Sequence, residues 1–388
     1  MNPVRRILFC NYEYPPIGGG GGTCSQWLAR ELVGRGHRVE VVTARWNNLP
    51  RVSMDGGLTV RRIRALRKNP GQSNPREMLS YVASAIPYLL FRGASRPDAI
   101  VSFHTIPSGL AAFLPAMIWR VPHITLFRGG DVPGWLPGEL DSLHRRSLWL
   151  NRLIVNRSAA ALANSDGLRE LAQRSFPKKE IGVLYNGVDL TEFAPPGEGR
   201  AHRSGPVRIL FAGRITTQKG LDVLISALSQ LVEKDWTLDV AGDGPMLATY
   251  RHQATAAGIS ERIKFHGWLS RETLRQLYDA ADFLAFPSRY EGMPNVVLES
   301  MSCGLPVIAT RIAGSEQLVE DGVTGFLVPV DDVAALRDRL GQLISDSSLR
   351  TSMGDLSRRA VESKWSWAAR GVELEQVIEA AIARSRGR

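Results

Sequence analysis

The sequence predicts an α/β protein of two doubly wound, parallel-sheet domains that face each other across a cleft. Three observations lead there. A chain of 388 residues with 44% hydrophobic content suits two ordinary domains, each with a sizeable core, better than one. The two halves open alike: RILFC (6–10), then a glycine run and a helical pattern; later VRILFAG (207–213), then a loop and a helical pattern. Behind each opening, short β-rich runs alternate with helical ones. That alternation implies parallel strands covered on both faces.

Taken in order, the first half should hold a strand at 6–10, the loop PPIGGGGG (15–22) and a helix from Thr23 to Val33. Strands follow at 38–43, 58–63, 98–103, 123–127, 159–163 and 182–186. The stretch TEFAPPGEGRAHRSGP (191–206) is rich in Pro, Gly and charge and reads as a connection. It divides the chain into residues 1–195, a linker 196–206 and a second domain 207–366. The second domain should hold a helix from Gly220 to Leu231 and strands at 237–242, 262–267, 282–286, 306–310 and 325–328. An amphipathic helix from Trp367 to Arg384 ends the pattern. Such sheets bind ligands at the carboxyl ends of their strands, so the loops there are the candidates.

One of those loops is the most informative. In SRYEGMPNVVLESMSCGLPVIATRIAGSE (288–316), Glu291 lies in the turn EGMP, and Glu299 lies inside a run whose helix should start near Asn295. Gly304 and Pro306 end that helix, and VIAT follows as a buried strand. The helix start offers backbone N–H groups of Met293, Asn295 and Val296 to an anion, and its dipole adds to the attraction; Pro294 has no N–H to give. Two carboxylates beside it can hold hydroxyls. These are the parts needed to grip a sugar joined to a diphosphate.

The other loops carry compatible chemistry. GRITTQKG (213–220) places Arg214 and Lys219 after the first strand of the second domain. A guanidinium and an ammonium there can clamp two phosphates and stabilise the charge that grows on a leaving oxygen. The plainer alternative is a solvated Arg and Lys at a helix start. Glycines 18–22 let backbone approach a ligand closely. A dinucleotide fingerprint is a poor fit, because Gly20-x-Gly22-x-x-Ser25 lacks its third glycine and no acid near Thr43 can bind a ribose. His104 directly follows the strand 98–103, and RGGDVPGW (128–135) follows the strand 123–127. None of the seven histidines is paired at ligand spacing and no Asp-x-Asp occurs, which favours chemistry without a metal.

The segment 288–316 resembles the E-x7-E signature of glycosyltransferase family 4, the retaining nucleotide-sugar transferases of the GT-B fold. The resemblance extends over nearly the whole chain. It implies two Rossmann-like domains, the first for the acceptor and the second for the donor, with residues 367–388 packing back on the first. It implies that Glu291 grips donor sugar hydroxyls, Glu299 grips the ribose, and Arg214 and Lys219 hold the leaving diphosphate. Gly19, Gly20 and Gly213 would face the diphosphate, and Gly267, Trp268 and Leu269 in FHGWLS would lie along the nucleobase with mainly backbone edges. His104 matches a cleft histidine that contacts the sugar near its reacting carbon. Arg128 departs from the histidine that many members show, through a different, negatively charged acceptor or through drift. Asp131 either binds and deprotonates an acceptor hydroxyl or holds a turn. Glu316 reads as structural.

Charge suggests a partner. Residues 1–200 hold 26 Lys+Arg against 15 Asp+Glu, a balance of +11, while residues 201–388 hold 22 against 23. No helix-turn-helix, finger or RNP-like motif accompanies the basic half, which argues against nucleic acid. VRRIRALRK (60–68) packs four Arg and one Lys, and the mostly apolar 76–92 lies close behind it with Tyr81, Tyr88 and Phe91 between Arg76 and Arg92. Two readings stand: a helix lying on an anionic membrane surface, or a core helix bent at Pro87. Cys10, Cys24 and Cys303 have neither disulfide nor metal spacing, which suits a reducing cytosol. No signal peptide and no 18-residue apolar run is read, so the expected place is the cytoplasm, peripheral on the inner face of the membrane if it docks there.

The reading is a retaining, hexosyl- or related glycosyltransferase, with a nucleotide sugar as donor and a glycan or lipid-linked acceptor, in surface polysaccharide or glycolipid synthesis. It needs no cofactor and no metal. The alternatives are a nucleotide-sugar epimerase of the same fold and a non-catalytic scaffold. The first needs proton-moving acids that this set does not call for, and the second should have lost site residues that are all present.

Overall fold

A computed structural model describes residues 3–69, 73–91, 96–135, 141–196 and 205–386. The chain forms two compact units, Met1–Asn186 with Trp367–Arg388, and Gly187–Ser366.

The first unit is built on β1 (Arg6–Cys10), β2 (Arg38–Ala44), β3 (Val52–Asp55), β4 (Leu58–Ile63), β5 (Ala99–Phe103), β6 (His123–Leu126), β7 (Ala160–Ala163) and β8 (Gly182–Val183). They form one sheet in the order β3-β4-β2-β1-β5-β6-β7-β8. All neighbours are parallel except β3, which runs antiparallel to β4 at the edge. β3 escapes sequence reading because VSMD is short and only half shielded, so it carries no apolar run. The helices are α1 (Gly20–Gly34), α2 (Pro75–Phe91), α3 (Leu110–Trp119), α4 (Asp141–Arg157) and α5 (Asp166–Ser175).

α1 begins at Gly20, inside the expected glycine loop rather than at Thr23. Its start is held from β1: Asn11 Nδ2 donates to Gly21 O (3.3 Å) and to Ser25 Oγ (2.9 Å), and Ser25 Oγ donates to Gly22 O (2.8 Å). These bonds tie down a helix start whose glycines have low intrinsic helix propensity.

One face of α2 belongs to the core, while Leu79 and Phe91 on its outer face are exposed. Tyr81, Val82, Ala85 and Leu89 are buried in one cluster with Leu8, Cys10, Tyr12 and Val42, and Pro87 sits within the helix. Burying that apolar face in the core satisfies it without lipid. The basic stretch before it is also engaged. Arg67 is buried, paired with Glu13 at 3.3 Å and lying 4.7 Å over the Tyr12 ring. Arg61 pairs with Glu40 at 2.9 Å, and Arg62 donates to Ser53 at 2.7 Å. Arg92 lies outside the described residues. No described helix is long and apolar enough to cross a membrane.

The second unit has a six-stranded parallel sheet in the order β11-β10-β9-β12-β13-β14. Its strands are β9 (Val207–Ala212), β10 (Trp236–Ala241), β11 (Ile263–Gly267), β12 (Phe283–Phe286), β13 (Val307–Thr310) and β14 (Gly325–Val328). Its helices are α6 (Leu221–Leu228), α7 (Leu247–Ala256), α8 (Arg271–Ala280), α9 (Asn295–Ser302), α10 (Ala313–Glu316), α11 (Val333–Ser345) and α12 (Ser347–Lys364). Three starts are capped by side chains, Ser270, Asp332 and Asp346, each accepting an N–H three residues on. Phe211, Leu224, Trp236, Val240 and Phe283 anchor the core.

The division between units falls after Asn186, nine residues before the expected Pro195. The intervening segment belongs to the second unit. Phe193 is buried edge-on against Tyr278, and its carbonyl accepts from Ser302 Oγ (2.5 Å) and Arg358 (2.9 Å). Of the expected linker, residues 197–204 lie outside the described residues. The last helix, α13 (Trp367–Arg386), packs on α1 in the first unit through Trp367, Leu374, Ile378 and Ile382. Arg5 binds Glu379 with two bonds of 2.7 and 2.6 Å.

Candidate functional site

In the second unit, the loops after β9, β10, β11 and β12 press together backbone to backbone. Gly213 N donates to Ala241 O, and Gly242 N to Gly267 O, each at 2.9 Å. A Cβ on Gly242 (φ +143) would lie 1.9 Å from Gly213 O, and one on Gly220 (φ +68) 2.0 Å from Pro287 O. Only glycine fits both the space and the dihedral at these two points. The consequence is a rim on which Gly213, Arg214, Lys219, Glu291 and the start of α9 share the carboxyl edge of one sheet.

Lys219 forms an ion pair with Glu291, and both side chains are mostly shielded, at 17% and 12% exposure. The ammonium also lies 5.2 Å over the Phe286 ring. Gln218 Nε2 donates to Tyr290 O at 2.8 Å, and Arg289 N donates to Gln218 O at 2.7 Å. Arg289 itself grips Asp222 with two bonds and Asp331 at 2.8 Å. The two loops are thus locked in register. Arg214 is exposed and forms no ion pair among the described residues.

Glu299 sits in α9 and accepts from the Tyr278 hydroxyl at 3.0 Å. Burial pushes its carboxyl up to about 7, against the pull of Arg271 and of the Tyr278 bond, with Glu192 adding to the rise. Met293 is buried and Asn295 and Val296 half-buried at the helix start, with Pro294 in the capping position. Gly267 ends β11 at φ +71, Leu269 is half-buried, and Trp268 is 63% exposed. Glu316 is exposed, 3.9 Å from Arg311.

In the first unit, the glycine start of α1 meets the ends of β5 and β6. A Cβ on Gly21 would lie 3.2 Å from His104 Cε1 and 3.8 Å from Arg128 Cγ. Gly19 and Gly20 are exposed. His104 holds φ +68, a conformation that costs a non-glycine residue on the order of 1–3 kcal/mol. Arg128 lies 5.2 Å over the Phe103 ring and donates from Nη1 to Asn186 Oδ1 at 2.9 Å, while its Nε is buried without a hydrogen-bond partner.

Asp131 is corrected by the geometry. It is buried, and its carboxylate accepts from Thr105 N (3.2 Å), Arg128 N (3.0 Å) and Gly129 N (3.1 Å). With both oxygens so engaged it holds the turn that presents His104 and Arg128, and is not placed to take an acceptor proton. Sequence reading also missed Tyr278 behind Glu299, Asn186 behind Arg128, and His144, whose Nε2 donates to Gly130 O at 3.0 Å. A tyrosine inside an ordinary amphipathic helix has no spacing that marks it. Asn186 lies in YNGVDLTEF (185–193), a segment that reads best as an interdomain connection.

The model of the family Glycosyl transferases group 1 matches residues 198–360, and that of Glycosyl transferase 4-like domain matches residues 19–187. The chain is 30% identical to the D-inositol 3-phosphate glycosyltransferase of Jonesia denitrificans, over 97% of this chain and 96% of that one. Among solved structures it is similar to sucrose-phosphate synthase of Thermosynechococcus elongatus, with a TM-score of 0.82 at 21% identity over 98% and 100% of the two chains. It is also similar to Anabaena Alr3699/HepE in complex with UDP-glucose, with a TM-score of 0.72 at 20% identity over 97% and 99%.

Proposed function

The chain belongs to the group 1 glycosyl transferases and has the GT-B fold, and from that premise we propose a retaining transfer of a sugar from a nucleoside diphosphate sugar to a hydroxyl of a glycan or lipid-linked acceptor. The observation that carries this reading is the rim of the second unit, where the Lys219–Glu291 pair and Arg214, two residues beyond the end of β9, lie at the carboxyl edge of one sheet. As the bond from sugar to diphosphate breaks, negative charge grows on the leaving oxygen. Fixed cations stabilise that charge more in the transition state than in the ground state. Glu291 holds sugar hydroxyls, Glu299 the ribose, and the start of α9 the diphosphate. The base lies along Gly267, Trp268 and Leu269. His104, with Gly19 and Gly20, serves the first unit's side of the reaction. In the retaining step, the acceptor oxygen attacks the face the diphosphate leaves, and the leaving phosphate takes the acceptor proton.

Support for the donor class comes from Alr3699/HepE, whose similar fold holds UDP-glucose. The route, surface polysaccharide or glycolipid synthesis, follows from the acceptor class proposed. A thermal-shift screen of nucleotide sugars tests the reading. A true donor at about 100 times its Kd stabilises the fold by roughly 2.7 kcal/mol. With that donor and a glycan acceptor library, nucleoside diphosphate release coupled to product is the expected result. Sugar interconversion without an acceptor would mean an epimerase, and binding without release a scaffold.

A further inference from the structure

The outward face of α4 carries a pattern that sugar transfer does not use. Arg145, Arg146, Trp149, Arg152, Leu153, Asn156 and Arg157 are all exposed, and at 100° per residue they fall within an arc of about 140°. Trp149 is 68% exposed, a high value for so large an apolar ring. The only acid of the helix is its first residue, Asp141. Arg152 Nε donates to Ser175 O at 3.1 Å, and none of the four arginines forms an ion pair among the described residues. The opposite face is fixed in the core by Ile154 and Val155. There His144 bonds Gly130, two residues from Arg128.

We propose that this face of α4 docks the protein on an anionic lipid bilayer. Four guanidinium groups meet lipid phosphates, and between them an indole and a leucine side chain reach the boundary of the acyl layer. The apolar pair decides against a nucleic acid or a soluble acidic protein. Those partners offer charge, but no apolar layer behind it to take up Trp149 and Leu153. Because α4 is bonded to the loop of Arg128, docking there brings the bilayer to the element assigned to the acceptor. This last step rests on the transferase reading above; the docking itself does not.

Co-sedimentation with phosphatidylcholine vesicles, with and without phosphatidylglycerol, at low and high salt, is the test. Binding to the anionic vesicles at low salt, weakened by salt, is expected. Arg145→Gln with Arg146→Gln should lower the partition coefficient by roughly fivefold per arginine. Trp149→Ser should lower it at both salt concentrations. The control Arg359→Gln with Lys364→Gln, on α12, removes the same charge and should leave binding unchanged. Equal binding to both vesicle types, or equal loss in the control and the α4 variants, overturns the proposal. So does binding of duplex DNA with the same arginine dependence and no vesicle binding. Nucleoside diphosphate binding, measured without vesicles, stays unchanged in the α4 variants, so a failure of docking is read separately from a failure of the transferase reading.

Discussion

Lys219 and Glu291 stand 72 residues apart in the chain and form an ion pair. The pair joins the loop after β9 to the loop after β12, and Arg289 locks the same two loops through Asp222 and Asp331. On the proposed reading, neither side chain needs to be recruited at the moment of reaction. Preorganised charge of this kind lowers a barrier without reorganisation.

Lys219→Ala and Glu291→Ala should each lower the transfer rate on the order of a hundredfold while the protein stays folded. Because the two side chains touch, the double variant should lose less than the product of the single losses. Steady-state kinetics of the three variants measure this. Losses that multiply fully would mean that the two residues act independently.

Arg214→Ala separates function from stability. The side chain is exposed and unpaired among the described residues, so its removal should change stability by no more than about 0.5 kcal/mol. The rate should still fall about a hundredfold if Arg214 stabilises the leaving diphosphate. Turnover close to that of the unaltered protein would remove Arg214 from that role.

Asp131→Ala should behave in the opposite way. Three backbone N–H groups lose their acceptor in a buried turn, at a cost of about 3 kcal/mol or more. A clear fall in thermal midpoint should accompany the loss of activity. An unchanged midpoint with abolished transfer would return Asp131 to a chemical role.

The sheets were legible because their strands are nearly continuous apolar runs bounded by glycine and proline, as in VRILFAG and PVIAT. The rim of the second unit was legible for the same reason, since Arg214, Lys219, Glu291 and Glu299 lie at strand ends or one helix turn beyond. What was hidden depends on tertiary partners. Phe193 sits in a Pro/Gly-rich stretch, yet its ring is buried against Tyr278, which moves the domain boundary. Arg67 looks like a surface charge in a basic run until Glu13 and Tyr12 enclose it. The apolar residues of α2 read alike in the sequence, and only the packing shows that Tyr81, Val82, Ala85 and Leu89 are buried while Leu79 and Phe91 are exposed. Conversely, the arginine and tryptophan stripe of α4 is spread over 13 residues, and its unity shows only on the helix.

If Arg214 and Lys219 supply the positive charge that the diphosphate needs, as proposed, transfer should proceed without a divalent metal. Activity should survive EDTA. Complete loss that Mg²⁺ or Mn²⁺ restores would contradict the assignment of those two residues.

Glu299 should make nucleotide binding depend on pH. Its folded value of about 7 lies above the ordinary 4.5 because burial disfavours the carboxylate, while Arg271 and Tyr278 restrain the rise. A raised folded value means that the folded state prefers the protonated form. The stability it contributes is complete below about 4.5 and is lost as pH rises through about 7. Accepting hydrogen bonds from both ribose hydroxyls calls for the ionised form, so binding works against that preference near neutrality. Affinity for the nucleoside diphosphate chosen by thermal shift should therefore rise as pH increases through about 7. Ionisation of the diphosphate itself adds a slope of its own, which Glu299→Gln isolates. In that variant, the part due to residue 299 disappears from both the stability profile and the binding profile. Identical binding profiles for the two proteins across that range would take Glu299 out of the ribose contact and leave it as the partner of Tyr278.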